Sequence, residues 1–90
     1  MIFEWDEEKN ARNKAKHDLG FDRVYEFDWH GAVLIDRTRS ADGELRYGAI
    51  GYLAGKLHAV IFTKRGSYTR IISLRRANRM EENTYENTVT

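Results

Sequence analysis

RIISLRRA, residues 70–77, decides how the rest of this chain is read. Ile71, Ile72 and Leu74 are apolar and two of these three are β-branched, which is strand composition. The next residues, RANRMEENTYE, have helical spacing, with Ala77, Met80 and Thr84 or Tyr85 on one face. A strand is therefore expected to give way to a helix at about residue 75. Arg70, Arg75, Arg76 and Arg79 crowd that junction. Four guanidinium groups around an apolar segment either meet carboxylates within the fold or hold an anion from outside it.

Working upstream, KRGS and AGK read as tight turns that separate YTRIISLR, LHAVIFT and LRYGAIGYLA into three antiparallel strands. In LRYGAIGYLA, Leu45, Tyr47, Ala49 and in part Gly51 share a face. AVLID, residues 32–36, is a further strand, and RTRSADGE is a polar loop turning at Asp42-Gly43. At the start, IFEW is a short strand. Asp6 is a good N-cap, and Glu7 and Glu8 suit the positive end of a helix dipole. The helix that follows is expected to reach about Asp18, with a thin apolar face of Ala11, Ala15 and Leu19. Its other face carries Lys9, Asn13, Lys16 and His17. After Gly20, FDRVYEF is either a short second helix or an irregular aromatic plug. The expected fold is α+β: two N-terminal helices and a C-terminal helix packed on a twisted, mainly antiparallel β-sheet.

The chain has 90 residues and reads as one domain over residues 1–90. It has no cysteine, so disulfides and thiolate metal sites are excluded. No apolar run approaches the ~20 residues of a membrane span, and MIFEWDEEK lacks the features of a signal peptide. A cytoplasmic protein is expected. The net charge of +1 hides an asymmetry. EWDEE, residues 4–8, holds four acids, whereas residues 45–80 hold eight bases and no acid. Such a field attracts a polyanion, RNA or DNA above all, unless the acidic segment neutralises it.

FEWDEEK, then Asn13 and the Lys16-His17 pair, then ELRYGAIGY and RIISLRRA, resemble the BrnT toxins. The resemblance runs from residue 3 to about residue 86, in the right order and spacing. It implies a RelE-like fold and a cytosolic ribonuclease toxin of a bacterial type II toxin–antitoxin pair, which cleaves RNA and inhibits translation. It implies no metal or other cofactor. It also implies a BrnA-type antitoxin with a ribbon-helix-helix DNA-binding region, with operator DNA bound only through the complex. The chain departs from the family at Arg76, where Lys is usual, and at Asp18, where Gly is usual. Guanidinium does not give up a proton, so Arg76 can stabilise charge but not act as an acid.

Metal-free RNA cleavage uses the substrate's 2′-OH as nucleophile. It needs a base, an acid for the departing 5′ oxygen, and cations for the charge on the phosphorane. His17, Lys9, Arg70, Arg75 and Arg76 are the candidate catalytic residues, with base and acid left unassigned. Lys14, Lys16, Arg46, Lys64, Arg65 and Arg79 are candidate phosphate holders. In an unbroken strand, Arg70 and Arg76 share the face of Ile72 and Leu74, and Arg75 joins Ile71 and Ser73. The alternative role for Arg70 is an ion pair with Glu4, Asp6 or another acid; for His17 it is capping of helix carbonyls. His58 reads as structural, His30 carries no assignment, and Trp5 and Tyr85 read as core. The competing functional readings are a nucleic-acid-binding module without chemistry and a surface that only docks the antitoxin.

Overall fold

The structure, a computed structural model, describes residues 1–89, with the side chains of residues 36 and 37 outside the description. Five described strands form one sheet: β1 (Ile2–Trp5), β2 (Val33–Arg39), β3 (Leu45–Leu53), β4 (Lys56–Arg65) and β5 (Tyr68–Arg76). Their order is β1-β5-β4-β3-β2. Only β1 and β5 pair in parallel; the other neighbours are antiparallel. Helix α1 (Glu7–His17) follows β1, and α2 (Arg79–Val89) follows β5. The α+β architecture thus agrees with the sequence reading. FDRVYE is a 3-10 helix, Phe21–Glu26, rather than a second α-helix. β2 also runs through residues 37–39, which read as loop from their polarity, because pairing with β3 continues to Arg39↔Leu45.

The sheet is covered on both faces. On one face Leu19, Phe21, Val24 and Phe27 pack on Ala49, Leu53, Val60, Phe62, Ile71 and Leu74, with Trp29 wedged between rings. Phe27 lies so close to Gly51 that an added Cβ would meet its Cζ at 2.8 Å, so a larger residue there would have to displace the ring. On the other face Tyr85 of α2 packs with Ile50 and Leu57, and its ring meets Tyr52 edge-on at 5.6 Å. Met80, expected to face inward, is 76% exposed; Tyr85 alone of that set is buried within the helix.

Helix α1 departs further from its expected packing. Ala11 and Ala15 are exposed, and the helix's one buried residue is Asn13. Its amide donates to the Leu19 carbonyl (2.9 Å) and the Leu74 carbonyl (2.8 Å), and its Oδ1 accepts from the Leu74 N–H (3.2 Å). β1 accompanies β5 only to Ile71. Beyond that point Asn13 supplies to β5 the donor and acceptor that a neighbouring strand would have supplied. Asn10 does the same for the 3-10 segment, accepting from the Phe21 N–H at 2.7 Å. Asp6 caps α1 as expected, accepting from the Glu8 and Lys9 N–H groups. Those bonds, the Lys9 one first, hold its carboxyl below the usual range. Asp18 ends the helix at φ 59°, the left-handed conformation that glycine takes most readily.

A trough of cations around His17 and Arg76

The facing of β5 beyond Ile71 is set by a bulge. Phe62 pairs with Ile71 and Ile61 with Ser73, leaving Ile72 without a partner across the ladder. One extra residue reverses the alternation. Ile71 and Leu74 therefore both reach the same apolar core, and the unbroken-strand parity expected for the arginines does not hold. Arg75 lands on the side of α2 and Arg76 beside the C-terminal end of α1.

Arg75 is held within the fold. Its guanidinium donates to both carboxylate oxygens of Glu81, at 2.7 and 2.9 Å. Glu81 also accepts from the Asn78 N–H (3.0 Å), while Asn78 accepts from the Glu81 N–H (2.8 Å). This reciprocal capping box occupies backbone N–H groups that a helix N-terminus otherwise leaves without partners. The Arg75 bond, ahead of the Asn78 one, holds the Glu81 carboxyl below its ordinary range. Arg70 takes the structural role: it pairs with Glu4 at 2.5 Å across the β1–β5 register.

Arg76 has a different setting. It lines a cleft of ≈ 320 Å³ with His17, Asp18, Arg23, Lys56 and His58. His17 is also a wall of a second cleft of ≈ 310 Å³, formed by Lys9, Arg12, Asn13 and Lys16 of α1 against Ile72 and Ser73 of β5. A third, of ≈ 500 Å³, shares Lys56 and Arg76 and continues past Arg79, Glu82 and Glu86 on α2. The three share walls and so form one trough with His17 and Arg76 at its middle. Lys9, Arg12, Lys16, Arg23, Lys56 and Arg76 line the first two clefts with the carboxylate of Asp18, and Arg23 is paired with Glu26 at 2.7 Å. Cations clustered over low-dielectric walls give the groove a positive potential.

Of the residues singled out in the sequence, Lys9, Lys16, His17, Arg76 and Arg79 line the trough. Lys14 is exposed on α1 outside these walls. Lys64 and Arg65 stand at the β4–β5 turn, Arg65 paired with Glu44 at 2.8 Å and Lys64 near the Thr69 hydroxyl at 3.4 Å. Arg46 sits in a polar row with Thr63 and Arg70 across β3, β4 and β5. Arg12, Arg23 and Lys56 are trough cations that the sequence reading gave no role, and His58, read there as structural, also lines the trough. Arg12 was findable, since Lys9, Arg12 and Lys16 are spaced i, i+3, i+7. His58 was not: only the register His58↔Arg76 brings it to the cleft.

A family model described as "Ribonuclease toxin, BrnT, of type II toxin-antitoxin system" matches residues 5–81. No curated protein matches the chain.

Proposed function

The chain belongs to the BrnT family of ribonuclease toxins of type II toxin–antitoxin systems, and on that premise we propose that its trough binds single-stranded RNA and cleaves it without a metal ion. The observation that carries this reading is the meeting of His17 and Arg76, from opposite ends of the chain, in one cleft. Lys9, Arg12 and Lys16 on one side and Lys56 on the other would hold successive phosphates. Arg76 presents a forked donor to a phosphorane and needs no proton of its own. His17 supplies an imidazole, which can give or take a proton in general acid–base catalysis. The same excess of cations that attracts RNA opposes a divalent ion in the cleft, which supports the metal-independent reading.

The partner in this reading is an antitoxin of the BrnA type, whose ribbon-helix-helix region carries the complex to operator DNA. Acidic and apolar residues of that antitoxin would cover the trough and exclude RNA. A RelE-like kinship and a cytoplasmic location, where RNA and ribosomes are reached, complete the proposal. Among the described residues no helix is long and apolar enough to cross a membrane.

The test is incubation of the purified chain with single-stranded RNA in EDTA, with 5′ ends mapped. New cuts that Arg76→Ala abolishes are the expected result. Salt-dependent RNA binding with no cuts would select a binding module instead, and cuts that require an added divalent metal would overturn the mechanism.

A further inference from the structure

His58 is buried at 5% exposure in β4, directly across the ladder from Arg76. Its Nδ1 lies 2.8 Å from the Lys56 carbonyl. A carbonyl can only accept, so Nδ1 carries the proton and the ring is fixed in position. In the neutral ring the lone pair is then on Nε2. Among the described residues no side chain hydrogen-bonds Nε2, and the ring forms part of the cleft wall with His17 and Arg76. Burial first, then the positive charges of Arg76, Arg23 and Lys56, lower its pKa, against the Lys56 carbonyl, which raises it. Asp18 and His17 are the remaining titratable groups in that wall. A tethered imidazole with one nitrogen free of a side-chain partner, across the ladder from Arg76 and lining the same cleft, is an arrangement that a general base can use.

Resting on the ribonuclease reading above, we infer that His58 is the general base of the cleavage and His17 its acid. His58 Nε2 takes the proton of the 2′-OH as that oxygen attacks the adjacent phosphorus. Arg76 bonds the non-bridging oxygens of the phosphorane. The P–O5′ bond then breaks, and the departing oxygen takes a proton from the His17 imidazolium. The products are a 2′,3′-cyclic phosphate and a 5′-hydroxyl end, with one proton moved to His58 and one lost from His17. No other reactant is consumed.

The test is His58→Asn in the full chain. The asparagine amide can keep the bond to the Lys56 carbonyl but has no nitrogen at the Nε2 position. Cleavage is expected to fall by ~100-fold or more. The rise of rate with pH on the acid side is expected to vanish, while affinity for an uncleavable 2′-deoxy strand stays within about twofold, since a base adds little to ground-state binding. In His58→Ala, added imidazole is expected to restore part of the rate. Three results would overturn the assignment: His58→Asn cutting at near the parental rate, a parallel loss of 2′-deoxy-strand affinity, or an unchanged pH profile without imidazole rescue. If Arg76→Ala is dead while His58→Asn is active, only this assignment fails. A parent chain that cuts no RNA removes both readings.

Discussion

The two helices sit on opposite faces of one sheet and are held there by opposite means. α2 is fixed by the buried ring of Tyr85 and by the Arg75–Glu81 fork at its capped start. α1 buries no apolar side chain; Asn13 alone goes inside, and it acts as a missing strand for β5. The consequence is a division of labour between neighbouring arginines. A helix anchored by apolar packing and an ion pair consumes the cation next to it. A helix anchored by one neutral amide leaves its lysines and arginine free to face the groove. Arg75 and Arg76 are adjacent and chemically identical, yet one is bound to a carboxylate of α2 and the other lines a cleft with Arg23, Lys56 and two histidines.

The largest effect is expected from breaking the α1 anchor. Asn13→Ala leaves the Leu74 N–H and carbonyl and the Leu19 carbonyl without their partner, and should cost about 3 kcal/mol of unfolding free energy, measurable in urea. If the loss were only a few tenths, α1 would be held by something other than Asn13. The next separates the arginines. Arg76→Ala should cut cleavage ~100-fold or more with a normal melt, the scale of one lost transition-state donor. Arg75→Ala should leave cleavage within a few-fold and lower the melting temperature instead. Equal loss of activity in both would erase the division between the faces.

Glu81→Ala removes the carboxylate half of the capping box and the Arg75 fork, and should cost about 1–2 kcal/mol. Its carboxyl is held low in the folded chain, so the unfolded chain binds the extra proton in acid. The stability it supplies is present above the ordinary glutamate pKa of about 4.3 and is lost as pH falls through the lower folded value. Glu81→Gln should flatten that part of a melting-temperature-versus-pH curve; an unaltered acid limb would show that the pair contributes nothing. The smallest change is Asp18→Asn, which keeps the left-handed cap and removes the one carboxylate from the first two clefts. RNA binding at low salt should strengthen by ~0.5 kcal/mol, and the gain should fade as salt rises. Weaker binding would place the RNA away from His17.

Much of the fold was legible before any coordinates. Strand alternation, the Ala54-Gly55 turn, the Asp6 cap and the acid-free segment 45–80 are local properties, carried by side-chain type and spacing. The helical stripe of Lys9, Lys16 and His17 was legible for the same reason. What lay outside the sequence pattern was non-local. A single bulge opposite Ile61 and Phe62 reversed the parity of β5 beyond Ile71, so that Arg76, not Arg75, shares the face of Ile71 and no longer that of Arg70. No propensity marks a bulge at Ile72, because it satisfies the packing of Ile71 and Leu74 into the same core. Arg70 and Glu4 are separated by 66 residues, and only the parallel pairing of β1 with β5 makes them partners. His58 read as an ordinary strand residue, and strand pairing alone set it against Arg76. The sequence by itself determined the elements and the charges they carry. Tertiary structure decided which charges cancel and which remain to meet a substrate, because cancellation depends on distances of a few ångströms between residues far apart in the chain.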